Sequence, residues 1–468
     1  MSKTYQITIG IEVHAQLLTQ TKLFCGCPID WSASPNTLTC PTCLGMPGTL
    51  PVLNKTAVEL AIKAALALSC KIKETSIFAR KNYFYPDLPK GYQITQYEHP
   101  LAEDGFLELR GKKIRIREVH LEEDAGKLLH GANETLIDFN RCGVPLIEII
   151  TEPDITSSDE ALEYLTMLRQ ILRYTGVCTG DMEKGHLRCE PNVSINYGIR
   201  TEIKNLNSFK AVEKGIKYEI DRQIKILESG NKVEHITLLW DEKREKTQEM
   251  RSKEETEDYR YFPEPDLLPL VVSKKWVKEI NSALPELPAI KIKRFVETYK
   301  IREYDARILC EERELADFYE ALLKLCPDIK LVTNFIIGEF TELLHEKKMR
   351  IEEFTLTPTY LAELLNLVRD GTLNRNLAKN IFPEMIETGK SVNKLVNEKG
   401  LKQISERDEL IKIVKEVLGE HQTEVKRYKS GKTQLLAFFM GQVMHKTQGR
   451  ANPKLINEIL VQLLTNEV

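Results

Sequence analysis

The sequence predicts an α+β protein: a mixed, largely antiparallel-sheet domain, then an all-α helical domain and a small helical tail domain. Three observations carry this. Residues 7–16 and 186–195 alternate strictly between the two faces of a strand, the pattern of half-buried sheet. Helix-length segments with apolar residues three and four apart lie between and after them. Near Leu284-Pro285-Glu286-Leu287-Pro288 the texture changes, and the remainder of the chain is mostly of the helical kind. Domain boundaries are accordingly placed to give 1–290, 291–404 and 405–468.

Bulk composition narrows the class. The 468 residues are 42% apolar and 29% charged, as in a soluble globular protein with ample core. A net charge of −3 gives no global basic field, so contact with nucleic acid needs a local patch. Residues 1–6 lack the apolar core of a signal peptide, and no apolar run is long enough to span a bilayer. The ten cysteines do not form a secreted disulfide framework in a chain of this length. A cytoplasmic protein without membrane contact is the expectation.

In the first strand Ile7, Ile9, Ile11 and Val13 share one face, and Thr8, Gly10, Glu12, His14 and Gln16 the other. Glu12 and His14 stand side by side there and can share one hard cation such as Mg²⁺; the local pattern is equally that of a solvated face. Next come Cys25-Gly26-Cys27 and Cys40-Pro41-Thr42-Cys43. Each pair can grip one ion from a tight turn, and four thiolates suit a structural, tetrahedral Zn²⁺. A knuckle over 25–43 would pin a loop beside the first strand.

Asn54 is placed to cap an Ala/Leu-rich helix reaching about Cys70. Residues 80–93 hold two prolines, a glycine and four aromatics, a stiff loop whose Lys81 and Lys90 could reach phosphates or simply lie on the surface. From Ile114 a strand runs into His120-Leu121-Glu122-Glu123-Asp124. Three successive acids repel unless a cation sits among them, and alternation breaks here, so spacing does not say which faces inward. In Val144–Asp154, Glu148 interrupts an apolar run. A buried lone carboxylate needs a partner, either a metal or an arginine such as Arg141.

Ser157 or Ser158 is placed to cap a helix over 160–175 that Gly176 ends, with Leu162, Leu165, Leu168 and Leu172 as its stripe. In the second alternating strand His186, Arg188, Glu190, Asn192 and Ser194 share a face. Asn196-Tyr197-Gly198 turns the chain into a second polar row, Arg200, Glu202 and Lys204. The two rows could floor a site for a charged, hydroxyl-rich ligand or form a solvated sheet face. A helix over about 211–230 and a stiff aromatic loop from Tyr259 to Pro269 complete the first domain. Beyond it, Leu315, Phe318, Tyr319, Leu322 and Leu323 form one helical stripe, and Thr357-Pro358 opens another helix, with Leu361, Leu364, Leu365 and Val368, that Gly371 stops. From His421 to Lys454 seven Lys/Arg face one acid, a patch able to meet a phosphate backbone. Ser430-Gly431-Lys432-Thr433 ends like a P-loop, but Lys426 stands where that pattern needs glycine.

Taken together, the segments IGIEVHAQL, CGC/CPTC, RKNYFYPDLPKGYQITQ, HLEEDAGK, PLIEIITEPD, LRCEPNVSI, EIKNLNSF, DYRYFPEPD and GQVMHKTQGRANP resemble the GatB/GatE family of tRNA-dependent amidotransferase subunits, over nearly the whole chain. The resemblance implies a catalytic cradle in 1–290 and a basic tail at 405–468 contacting tRNA. It implies a ligase forming a carbon–nitrogen bond: the γ-phosphate of ATP goes to the side-chain carboxylate of misacylated Glu-tRNA(Gln) or Asp-tRNA(Asn), and ammonia then displaces phosphate. The family's Mg²⁺ site falls on Glu12, His14, Glu123 and Glu148, the catalytic candidates. Lys81 and Lys90 could hold ATP phosphates, and Arg188, Glu190, Asn192 and Lys204 would line the floor. No amidase signature is present, so the resemblance implies a heterotrimer with a separate amidase/glutaminase subunit and a third, small subunit that bridges the two. A non-catalytic zinc-containing tRNA scaffold and a stand-alone metal-dependent ligase or kinase remain the rival readings.

Overall fold

The computed structural model describes residues 5–465 except 132, 251–258, 350, 354–356, 401–403 and 405. It divides into two compact units, Met1–Ile290 and Lys291–Val468.

In the first unit the strands are β1 (Ile7–Gln16), β2 (Lys71–Ile72), β3 (Thr75–Ser76), β4 (Phe78–Asn82), β5 (Tyr92–Gln96), β6 (Ala102–Leu109), β7 (Lys112–Glu123), β8 (Lys127–His130), β9 (Thr135–Asp138), β10 (Pro145–Thr151), β11 (Leu187–Ile195), β12 (Thr201–Lys204), β13 (Thr237–Asp241), β14 (Lys246–Glu249), β15 (Phe262–Pro263) and β16 (Leu270–Val271). Nine of them form one sheet in the order β14-β13-β12-β11-β1-β10-β7-β6-β2. Among the described residues only the β12–β13 pair in it is parallel, so the sheet is mixed and largely antiparallel as expected. β1 lies at its centre, between β10 and β11.

One face of this sheet is core. Ile9, Ile11, Val13 and Ala15 are buried, as are Ile147, Ile149, Leu187 and Val193 on the flanking strands. Helices α1 (Lys55–Ala67), α2 (Ser158–Tyr174) and α3 (Phe209–Glu228) supply the apolar residues that join them in one cluster. Each helix begins at a side-chain cap: Asn54, Ser157 and Ser208 accept from the N–H three residues on. Of the predicted α2 stripe, Leu165, Leu168 and Leu172 are buried. Gly176, at φ +66°, lies just past its end in the left-handed region that favours glycine. The other sheet face is polar.

The second unit is helical. One apolar cluster gathers Phe335, Phe340, Leu361, Leu365 and Phe382, and another gathers Leu410, Val414, Phe439, Val443 and Ile456. Helix Pro358–Arg369 starts with its proline at the first position, where no N–H is needed. No helix among the described residues is long and apolar enough to cross a membrane.

β12 has only four residues and is held from the core side by a polar clamp. Glu219 of α3, fully buried, accepts from Thr201 Oγ1 (2.6 Å), Gln223 Nε2 (2.8 Å) and Arg222 Nε (2.8 Å). Gln223 also donates to the Val193 carbonyl on β11 (3.0 Å). Replacing Glu219 by alanine strands these donors, and a loss of about 3 kcal/mol is expected in urea denaturation. Glu219→Gln, which keeps an acceptor, should cost clearly less.

Candidate active site and metal centres

The polar face of the sheet is assembled by register. Antiparallel pairing sets His14 opposite Glu148 on β10 and Arg188 on β11, and Glu12 opposite Glu190. Glu148 in turn faces His120 on β7. Directly paired residues share a face, so these side chains meet over β1. His14 Nε2 lies 3.5 Å from Glu122 Oε1 and 3.6 Å from Glu148 Oε1, and His120 Nδ1 is 3.8 Å from Glu148 Oε2. One donor atom from each of His14, Glu122 and Glu148 can be chosen so that all three fall within 4.8 Å of one another.

The electrostatics of this trio favour a cation. Burial pushes the Glu148 carboxyl well above its ordinary range, and the charges of Glu122 and Glu12 push it further; Lys81 pulls the other way. Burial also holds the His14 imidazole down to about 4, against the pull of Glu122. The result is a neutral imidazole, able to donate a lone pair, among carboxylates that repel one another. This donor set fits a hard divalent ion.

A second cluster adjoins it. Oxygens of Glu12, Glu190 and Glu202 also come within 4.8 Å. Lys204 Nζ bridges Glu190 (3.0 Å) and Glu202 (3.3 Å), and Asn192 Nδ2 donates to Glu12 Oε1 (3.2 Å). Burial, with Glu202 and Glu190, raises the Glu12 carboxyl, while Arg200 and Lys204 lower it. Arg188 is anchored on Asp124 (3.1 Å), which also accepts from Gln16 Nε2 (2.7 Å). Arg188, Glu190, Asn192 and Lys204 are thus brought together on this face.

Two expected residues are not. Glu123 is buried on the other side of β7, where it pairs with Lys90 and accepts from the Ile94 N–H (2.9 Å). Successive strand residues point to opposite faces, so Glu122 and not Glu123 reaches His14. Lys90 is correspondingly committed to Glu123 and lines a cavity of about 170 Å³ with Lys22, Cys25 and Cys43, away from the His14 face. Parity groups Glu122 with His120 and Asp124 and apart from Glu123, but only the pairing with β10 says which set faces His14. Arg141, the alternative partner for Glu148, instead donates to the carbonyls of Ala125 (2.9 Å) and Gly126 (2.6 Å) and lies 3.8 Å from Asp124.

Lys81 lies beside the His14 trio. Its Nζ sits 4.8 Å from the Tyr259 ring centroid, and its charge acts on both His14 and Glu148. The two stiff aromatic loops meet here, unforeseen from the sequence. Phe262 pairs with Arg80 on β4, and Arg80 grips Glu264 through two bonds of 2.7 and 2.8 Å. The loops build a wall in which Tyr83 meets Tyr259 and Tyr261 stacks on Tyr97 with ring centroids 4.0 Å apart.

The four cysteines converge as well. Sγ atoms of Cys25, Cys27, Cys40 and Cys43 all lie within 4.8 Å of one another, the span of a tetrahedral thiolate cage. Cys43 accepts from the Cys40 N–H (3.1 Å) and from the fully buried Lys22 ammonium (3.6 Å). The hydrogen bond from Cys25, with these others, holds the Cys43 thiol down to about 4. A buried lysine pointed at sulfur is what a thiolate cage needs to offset its charge.

Comparison with known proteins shows the family. The profile of the GatB/GatE catalytic domain matches residues 7–278, and that of the GatB domain matches 317–464. The B subunit of the aspartyl/glutamyl-tRNA(Asn/Gln) amidotransferase of Thermodesulfovibrio yellowstonii is 54% identical over 471 residues, spanning 98% of this chain and 99% of its own. The proteins of that name from Persephonella marina and Geotalea daltonii are each 49% identical, with the same coverage. The chain belongs to the GatB/GatE family.

Proposed function

We propose that the chain is the carboxylate-activating member of a tRNA-dependent amidotransferase complex. Supporting this above all is the convergence of His14, Glu122 and Glu148 on one sheet face, beside cationic Lys81, Arg188 and Lys204. A carboxylate is a poor electrophile because its oxygen leaves badly. In the proposed reaction the side-chain carboxylate of Glu-tRNA(Gln) or Asp-tRNA(Asn) attacks the γ-phosphorus of ATP, and the bond to the β-phosphate oxygen breaks. Ammonia then adds to the acyl carbon, and phosphate departs with the bonding pair. His14, Glu122 and Glu148 would hold Mg²⁺, with Glu12 at its edge. Bound there, the ion offsets the crowded negative charge of triphosphate and carboxylate. Lys81 adds a fixed positive charge on the same side, and Arg188, locked by Asp124, cannot swing away from the floor. Tyr83, Tyr259 and Tyr261 pack edge to face on the side of Lys81.

Ammonia is proposed to come from a partner amidase/glutaminase subunit, with a third, small subunit bridging the two, in the cytoplasm. Residues 291–404 act as a helical domain and 405–468 as the basic tail that meets tRNA. The Cys25/Cys27/Cys40/Cys43 cage is proposed to hold a structural Zn²⁺.

The deciding experiment uses γ-labelled ATP and Glu-tRNA(Gln) with the complex, without glutamine or ammonia. Label should leave ATP only when charged tRNA is present. Glu148→Gln and Glu122→Gln should each slow this by about a hundredfold or more, the scale of losing a charge-stabilising group. Equal turnover in wild type and Glu148→Gln would leave a non-catalytic tRNA scaffold as the better description.

The two adjacent acids should also separate cleanly. Glu123→Gln leaves the Lys90 ammonium buried and unpaired, so its expected effect is on stability, about 3 kcal/mol in denaturant titration, with Mg²⁺ affinity kept. Glu122→Gln should do the reverse. For the knuckle, elemental analysis should find one zinc per chain in the wild type and essentially none in Cys40→Ser/Cys43→Ser, with a lowered melting temperature.

A further inference from the structure

The polar face has two ends. At the Gly10 end the β7–β10 register slips by one residue: Ile150 pairs with Glu118 and Thr151 with Ile116, so Arg117 is left over as a bulge. At the opposite end, by Gln16, stands Trp31, 53% exposed and carried by the segment between the two cysteine pairs.

His186 places it there. This residue precedes β11 and has the parity of Arg188, so it faces the polar side. The Gln16 N–H donates to its carbonyl (2.9 Å), which extends the β1–β11 ladder to it. Its imidazole is buried and shares a hydrogen bond with Thr179 Oγ1 through Nδ1 (2.8 Å). The Trp31 ring lies on that imidazole, with centroids 4.8 Å apart and planes tilted by 37°. One side of the indole is thus backed by a fixed ring, and about half of the residue stays open to solvent.

The segment is stiff without help from the indole. The Lys22 N–H donates to the Cys27 carbonyl (3.0 Å) and the Ile29 N–H to the Gln20 carbonyl (3.1 Å). Asp30 accepts from the N–H and the hydroxyl of Ser32 (2.8 and 2.7 Å). Asn36 donates to the Ile137 carbonyl (2.9 Å) and accepts from the Phe139 N–H (2.7 Å), which ties the other end to β9. Trp31 joins none of the apolar clusters of the described residues. An open aromatic on a locked loop, backed by a second ring, suits the stacking of an unpaired base. The core of a protein interface would be apolar around it. Here Asp30, Ser32, Ser34 and Asn36 are exposed instead.

The platform is in register with the acid trio. Arg188, two residues and so about 7 Å along the strand from His186, pairs with His14 and is held by Asp124. The path from an adenine across its ribose to the side-chain carboxylate of an esterified amino acid covers a span of that order.

We propose that Trp31 seats the 3′-terminal base of the charged tRNA. The base stacks on the indole, Arg188 pairs with the nearby phosphate, and the esterified side chain reaches His14, Glu122 and Glu148. The two cysteine pairs then serve to hold this ring in place. The assignment rests on the reading of the chain as acting on charged tRNA, and it locates the acceptor end.

The test uses the complete complex. Initial rates of tRNA-dependent γ-phosphate loss are measured against Glu-tRNA(Gln) at saturating ATP, and against ATP at saturating Glu-tRNA(Gln). Trp31→Ala should raise the KM for Glu-tRNA(Gln) about ten- to a hundredfold, the scale of one lost base stack, and leave that for ATP within about twofold. Trp31→Phe keeps a ring and should stay within about fivefold of wild type for both. Separately, tRNA(Gln) with 2-aminopurine in place of its terminal adenine should lose fluorescence on saturating the wild type or Trp31→Phe, and keep it on saturating Trp31→Ala. A KM for Glu-tRNA(Gln) within about twofold of wild type in Trp31→Ala overturns the assignment. So does a raised KM for ATP, a phenylalanine variant as poor as the alanine one, or quenching that survives in Trp31→Ala. Loss of complex assembly in Trp31→Ala, read by size-exclusion chromatography, puts the ring at a subunit interface and overturns it equally. If the wild type shows no tRNA-dependent phosphate loss, the activation reading itself falls, while the fluorescence still decides the platform.

Discussion

The period of two along β1 is the constraint on which the rest depends. With strands paired antiparallel on both sides, a residue's number fixes both its face and its neighbours. Ile9, Ile11 and Val13 anchor the strand in the core, leaving Glu12 and His14 no choice but the wet face. Glu148 and Arg188 are then delivered to His14 by register rather than by any attraction between them. Hydrophobic burial therefore supplies the free energy that assembles a group of like charges. Electrostatics alone would scatter them.

That assembly is held under tension. Burial, then the charges of Glu122 and Glu12, push the Glu148 carboxyl up, and burial, then Glu202 and Glu190, push up that of Glu12. Where the protein has a cation of its own to offer, it uses one: Lys204 between Glu190 and Glu202, Arg188 on Asp124, Lys90 on Glu123. Among the described residues, the His14 trio has only imidazoles within ion-pair distance, and His14 itself is held neutral. The contrast separates the carboxylates that stabilise the fold from those left for an external ion.

Much of this was legible in the residues. The alternation of 7–16 and 186–195 gave the wet face, and a carboxylate inside Leu146–Ile150 marked Glu148. The helices announced themselves through Asn54, Ser157 and Thr357-Pro358. What stayed hidden lies in pairing between distant segments. Which of Glu122, Glu123 and Asp124 faces His14 depends on the register with β10, which local spacing does not contain. Lys90 looked like a phosphate ligand because its partner is a buried acid on another strand. The aromatic loops at 80–93 and 259–269 read as separate stiff segments; the pairing of Phe262 with Arg80 and the bonds from Arg80 to Glu264 join them. Arg117 gives no sign of its place, because a bulge is a property of two strands and not of one.

The bulge at Arg117 and the back-to-back acids Glu122 and Glu123 together turn β7 into a ruler. Between them no residue can be added or lost without exchanging the two acids, placing the one meant for His14 against Lys90 and the reverse. Changes of chain length during descent must therefore be shed elsewhere. The β8–β9 hairpin directly downstream, largely exposed and outside the main sheet, is the natural place for them. Neighbouring segments of a few residues each would then drift at very different rates. Aligning distant relatives by their acidic triplets alone would put the gap on the wrong side of the site.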